Sequence, residues 1–216
     1  MKVKVYVRPV EGKGNFKGYA NAVVNGITIK DLTIKDGKYG LYVEMPNVYV
    51  ESKNQYTSLI SGVNKELREA LATACKEALE NPQHEASVGD KAEKMHYSVH
   101  YHAMNHESLR GMASLTIREE GSEKSMMTIQ NIRIINNKDK EGFVISMPSK
   151  RYEKDGKTNY SEVVKYNDND RKFINGLIAG EVNKELKKNK NLEPSYLVSE
   201  EPAQDVPQAQ KEDLQR

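Results

Sequence analysis

Val3, Val5 and Val7 alternate with Lys2, Lys4, Tyr6 and Arg8, a period of two that predicts a strand with one buried face. Tyr97, Val99 and Tyr101 alternate in the same way with His96, Ser98, His100 and His102. Asn25-Gly26 separates Ala22-Val23-Val24 from Ile27-Thr28-Ile29 and predicts a two-residue hairpin. Later, the charged stretch 119–124 separates Leu115-Thr116-Ile117 from Met127-Thr128-Ile129, which predicts a longer hairpin loop. Asp36-Gly37 and Asn136-Asn137 mark the next turns. The period then lengthens. Leu67, Ala70, Leu71, Ala74, Ala78 and Leu79 fall on one stripe of a helix, and Ile174, Leu177, Ile178, Val182 and Leu186 on another. Asn64 is placed to cap the first helix, Asn167 or Asn169 the second, and Asn81-Pro82 ends the first.

The order strand, strand, strand, strand, strand, helix therefore occurs twice, and short strings recur with it. Gly18-Tyr19-Ala20 returns as Gly111-Met112-Ala113. Gly40-Leu41-Tyr42-Val43-Glu44-Met45-Pro46 returns as Gly142-Phe143-Val144-Ile145-Ser146-Met147-Pro148, and Tyr56-Thr57-Ser58 loosely as Tyr160-Ser161-Glu162. The expected organisation is a first domain over 1–80, a polar linker over 81–94, a second domain over 95–189 and a disordered acidic tail over 190–216. The fold class is α+β, with two tandem copies, each a mostly antiparallel five-stranded sheet with a C-terminal helix.

Composition narrows the classes. No apolar run approaches the roughly 20 residues that span a bilayer, so no membrane association is expected. Cys75 is the one cysteine among 216 residues and lies within a helical stripe, which predicts a small core residue rather than a disulfide or nucleophile. Met1-Lys2-Val3 opens without a secretory pattern, an expectation of a cytoplasmic protein. Net charge is +2, distributed as +3 over 1–80, −1 over 81–94, +3 over 95–189 and −3 over 190–216. Mildly basic domains with an acidic tail permit a polyanion as partner without requiring one.

Few residues point to chemistry. Gly12-Lys13-Gly14 lacks the Gly-Lys-Ser/Thr of a phosphate loop and a following helix, and reads as a turn. His96, His100, His102 and His106 lie close in sequence, but no cysteine or acid stands at metal-ligand spacing, so no metal and no cofactor are expected. No nucleophile elbow or catalytic triad order occurs, which points away from an enzyme. Lys150, Arg151, Lys154 and Lys157 form a cationic hairpin around the Asp155-Gly156 turn. It can neutralise several phosphates, or be a solvated hairpin that protects an edge. Arg171 and Lys172 stand in the first turn of the second helix, where they can join amide donors in holding a phosphate or form an ordinary solvated turn. Tyr152 and Tyr160 can stack on unpaired bases or pack within the sheet.

The string Gly142-Phe143-Val144-Ile145-Ser146-Met147-Pro148-Ser149-Lys150-Arg151, followed by Asp155-Gly156, resembles the stage V sporulation protein G (SpoVG) septation-regulator family. Gly111-Met112-Ala113-Ser114-Leu115-Thr116-Ile117 and Thr128-Ile129-Gln130-Asn131-Ile132-Arg133-Ile134 fit that family's early hairpin. The resemblance extends over about 95–189 and more weakly over 1–80, where Met45-Pro46-Asn47-Val48-Tyr49 lacks the Ser-Lys-Arg. It implies a bacterial, non-enzymatic regulator that binds DNA or RNA. It also implies sheets paired as in a dimer, here within one chain as a monomer with an internal pseudo-dimer, or else between chains of a homo-oligomer. The implied nucleic-acid-binding residues are Ser149, Lys150, Arg151, Lys154, Lys157, Arg171 and Lys172. The alternative is a protein–protein interaction module using sheet edges and the acidic tail.

Overall fold

The computed structural model describes residues 1–188 apart from 13, 105 and 138–141, and of Ser52 the backbone. The expected tail over 190–216 and Lys13 lie outside the described residues. The first half runs β1 (Val3–Pro9), β2 (Phe16–Val24), β3 (Ile27–Gly37), β4 (Gly40–Glu44) and β5 (Asn47–Val50). A 3-10 turn (Glu51–Lys53), β6 (Gln55–Ser58), β7 (Ile60–Ser61) and α1 (Lys65–Glu80) follow. After β8 (Glu85–Val88) the second half repeats this order. It comprises β9 (Met95–Ala103), β10 (Leu109–Glu119), β11 (Met127–Asn136), β12 (Phe143–Ser146), β13 (Ser149–Lys154), β14 (Lys157–Glu162), β15 (Val164–Lys165) and α2 (Asp168–Lys188). The class is α+β, and every ladder among the described residues is antiparallel.

The period-two segments form the expected strands. Val3 and Val5 are fully buried while Tyr6 and Arg8 face solvent, and Asn25-Gly26 closes the β2–β3 hairpin with both residues at positive φ. The turn expected at Asp36-Gly37 falls two residues later, because Gly37 pairs with Gly40 and leaves Lys38-Tyr39 as the loop. The α1 stripe buries Leu67, Leu71, Ala74, Cys75 and Ala78, and the Asn64 side chain accepts from the Leu67 amide at 2.8 Å. In α2, Ile174, Ile178, Val182 and Leu186 are buried, and Asn167 rather than Asn169 caps, accepting from the Asp170 amide at 2.9 Å.

The expectation of one five-stranded sheet per half needs correction. One sheet has the order β15-β3-β2-β1-β8 with β4 also on β3, and the other β12-β11-β10-β9 with β7 on β11. Each sheet thus holds one strand from the opposite half. The β5–β6 and β13–β14 hairpins stand apart as two-stranded ribbons. Pro46 and Pro148 cause this separation, since proline has no N–H to continue a ladder. Their carbonyls still accept, from the amides of Leu59 (2.8 Å) and Val163 (2.9 Å), and so hold β7 and β15 at the point of crossing. The segment expected as a linker also carries structure: Glu85–Val88 pairs with Val3–Tyr6 of β1, with Ala86 and Val88 packed on the core.

The long strands β3 and β11 are built alike. Thr28 and Ile29 pair with β15, and beyond the left-handed Asp31 the rest of β3 pairs with β4. Thr128 and Ile129 pair with β7, and beyond the left-handed Asn131 the rest of β11 pairs with β12. Gly18 and Gly111 occupy matching bulges, where an added Cβ would meet the Arg8 or His102 carbonyl oxygen at 2.4 Å. One continuous core takes side chains from both halves.

Candidate nucleic-acid interface

The β13–β14 ribbon begins where the run Phe143–Pro148, buried except for the half-buried Val144, ends, and residues 151–158 are all exposed. Asp155 and Gly156 both have positive φ (54° and 70°), the two-residue turn that matches strand twist. The register pairs Lys150 with Ser161, Tyr152 with Asn159 and Lys154 with Lys157. Alternation therefore puts Lys150, Tyr152, Lys154 and Lys157 on one face, and Ser149, Arg151 and Glu153 with Thr158, Tyr160 and Glu162 on the other. Among the described residues, no carboxylate lies within 4.0 Å of Lys150, Lys154 or Lys157. At about 3.3 Å per residue, Lys150 and Lys154 stand roughly 13 Å apart with the half-exposed Tyr152 ring between them.

The remaining expected residues are placed differently. Arg151 shares its guanidinium between Glu153 (3.7 Å) and the Thr158 hydroxyl (3.3 Å) on the ribbon's opposite face. Arg171 donates twice to the Glu162 carboxylate, at 2.8 and 3.2 Å, and ties the first turn of α2 to the base of β14. Its charge is neutralised there. Lys172 is exposed on the same turn. Ser149 accepts weakly from Arg133 at 3.5 Å. The structure thus gathers the ribbon residues and the start of α2 at one end of the second half. It divides the cations between a lysine face and a carboxylate-paired arginine face.

Three basic residues at this end escape a sequence reading. Arg133 on β11 donates to Ser146 (3.2 Å) and Ser149, with no carboxylate partner among the described residues. Burial holds its guanidinium below the usual arginine range. The signal available in the sequence was an arginine inside an apolar strand, Ile132-Arg133-Ile134. Lys30 and Lys165 are diagonal neighbours on the β3–β15 ladder. Burial lowers the Lys30 pKa first, and the Lys165 charge lowers it further. That pair exists only because β15 crosses to the other sheet, which no local pattern announces.

Other candidates resolve into structure. In the first half, β5–β6 presents Tyr49 against Tyr56, edge to face at 5.2 Å, where β13–β14 presents lysines. On β1 and β2, Lys4 lies over Tyr6 (4.7 Å) and Arg8 over Tyr19 (5.1 Å). His96, His100 and His102 share the outer face of β9 as expected. Among the described residues no group of three or more His, Cys, Asp or Glu is disposed to hold a metal. Cys75 is fully buried and its thiol is pushed up to about 12, so it is a poor nucleophile. No helix among the described residues is long and apolar enough to cross a membrane.

A family model described as SpoVG matches residues 1–81, the half in which the sequence carries the weaker resemblance and lacks Ser-Lys-Arg after Met-Pro. No curated protein and no solved structure matches the chain. Residues 1–81, which hold β1 to β7 and α1, are similar to the SpoVG family.

Proposed function

We propose that this chain is a regulatory protein of the SpoVG type that binds DNA or RNA in the cytoplasm without catalysing a reaction. The observation that carries this reading is the lysine face of β13–β14. Lys150, Lys154 and Lys157 surround Tyr152 on an exposed ribbon, and no carboxylate competes for them among the described residues. Three ammonium groups at this spacing suit successive phosphates, and an exposed tyrosine between them suits a base. Arg133 and Ser149 extend the donors toward the base of the ribbon, and Arg171, bound by Glu162, fixes its angle to α2.

The two halves are read as tandem copies forming an internal pseudo-dimer, so the active unit is a monomer. The reciprocal crossing of β7 and β15 supports this, as do the matching bulges at Gly18 and Gly111. The copy over 1–81 carries no lysine face on its ribbon and serves as the structural partner. A binding screen of single-stranded and duplex DNA and RNA at two salt concentrations tests the reading. Retention at low salt that weakens with salt supports it, and no retention on any of the four rejects it.

A further inference from the structure

The first-half sheet turns one face to the core and α1, and its other face carries rings and cations. Val3, Val5, Ala20, Ala22 and Val24 point into the core that α1 shares. Lys4, Tyr6 and Arg8 of β1 and Tyr19, Asn21 and Val23 of β2 alternate with them onto the outer face. The register sets Tyr6 opposite Asn21 and Arg8 opposite Tyr19. Tyr6 and Tyr19 are therefore diagonal neighbours, roughly 7–8 Å apart. Both rings are accessible, at 45% and 41% exposure. The Phe16 ring meets Tyr19 edge to face at 5.0 Å and steadies it.

Farther along the same face stand Lys30 of β3 and Lys165 of β15, which pairs with Thr28. Their amino groups lie within hydrogen-bonding reach of each other. Burial lowers the Lys30 pKa most and the Lys165 charge adds to it, while the carboxylates of Asp31 and Glu162 offset this only in part. Glu162 is itself held by Arg171. Two cations kept side by side repel each other, and an anion between them relieves that repulsion. The other carboxylates of this face are engaged, Glu85 by Lys4 at 3.3 Å and Glu44 by Lys35 at 2.8 Å.

We propose that this outer face holds single-stranded nucleic acid, with a phosphate between Lys30 and Lys165 and unpaired bases stacked on Tyr6 and Tyr19. An unpaired base offers a ring its π face whatever its identity, whereas the bases of a duplex are already stacked on one another. Asn21, which accepts from the Asp31 amide at 3.3 Å, lies between the lysines and Tyr6. Arg8, 5.1 Å from the Tyr19 ring centre, sets a further cation beside a stacked base. The Lys30 amide donates to the Val163 carbonyl at 2.8 Å, and Val163 directly follows β14, so the lysine pair adjoins the base of the ribbon. In the second half, His100 and Met112 take the places of Tyr6 and Tyr19, which makes the platform a property of the first half. The inference rests on the nucleic-acid reading and adds to it a second surface, selective for unpaired strands.

Fluorescence anisotropy on the full chain, with single strands of about 12 nucleotides and the matching duplex, tests it. Tyr6→Thr with Tyr19→Thr should weaken single-strand binding about tenfold or more and leave duplex binding within about twofold. Tyr6→Phe with Tyr19→Phe keeps both rings and should bind as the unaltered chain does. Lys30→Gln with Lys165→Gln should make the single-strand salt slope shallower by about 1.4. Irradiating the unaltered chain on a 5-iodouracil-substituted single strand should crosslink peptides that hold Tyr6 or Tyr19, a readout independent of how the variants fold. A threonine pair that binds single strands undiminished overturns the proposal, as does a phenylalanine pair that loses as much as the threonine pair. Crosslinks confined to the ribbon overturn it while sparing the ribbon's own role. An unaltered chain that binds none of the probes rejects both surfaces together.

Discussion

Replacing Lys150, Lys154 and Lys157 together by alanine removes the cations on which the proposed interface rests. All three side chains are exposed or half-exposed on a ribbon, so the fold should survive. The magnitude follows from counterion release: each neutralised phosphate contributes about −0.9 to the slope of log affinity against log salt on duplex, and about −0.7 on single strands. Three contacts give about −2.7 and about −2.1. Between roughly 50 and 200 mM salt, these lysines therefore account for about 40-fold loss on duplex and about 18-fold on single strands. Fluorescence anisotropy with labelled oligonucleotides across that range reads the slope directly, and circular dichroism checks the fold. The triple variant should bind more weakly at low salt and with a slope shallower by those amounts. Arg151→Ala should change the slope by less than one lysine does, because Glu153 already shares that charge. A triple variant whose slope matches the unaltered chain would refute the reasoning.

Arg171→Ala should cost about 1–2 kcal/mol in urea unfolding, since its two bonds to Glu162 are partly shielded, while leaving the salt slope of binding nearly unchanged. A double-mutant cycle with Glu162→Gln checks that the loss is shared. Gly18→Ala and Gly111→Ala should each destabilise by about 2–4 kcal/mol, because each new methyl meets a backbone carbonyl oxygen. Equal tolerance of alanine at both positions would contradict the matched bulges. The Cys75 thiol should resist an aromatic disulfide reagent until the protein unfolds. Its raised pKa binds a proton more tightly in the folded state. The associated stability is present below the ordinary thiol value of 9.0 and is lost as pH rises toward about 12, an effect Cys75→Ala should remove. Sedimentation should give a mass near 24.5 kDa, and a stable species of twice that would show pairing between chains instead.

The strands and helices were legible because one buried face leaves a plain period. Val3-Val5-Val7, Tyr97-Val99-Tyr101 and the two helical stripes each show it. Asn25-Gly26 and Asp155-Gly156 were legible because their turn demands positive φ. The Ile60-Ser61 and Val164-Lys165 strands were not, since two residues carry no period and their partners lie in the other half. For the same reason Lys30 and Lys165 could not be seen as neighbours. The ribbon itself is evident from Lys150 to Lys157. Counting alternate positions from Pro148 separates Arg151 from Lys150 and Lys154, and the two-residue turn at Asp155-Gly156 returns Lys157 to the lysine face. Arg171 reads as a free cation in sequence, and only the fold shows Glu162 waiting across from it.

The traded strands have a thermodynamic consequence. Neither sheet is complete without residues that the other half supplies: Ile60 sits within one ladder and Val164 within the other, both essentially inaccessible to solvent. Melting either half withdraws a strand from its neighbour and opens the common core to water. Heating should therefore give one calorimetric transition, with van't Hoff and measured enthalpies in agreement, rather than a staircase of two. Cutting the gene between the halves should yield two polypeptides that become well ordered only when mixed.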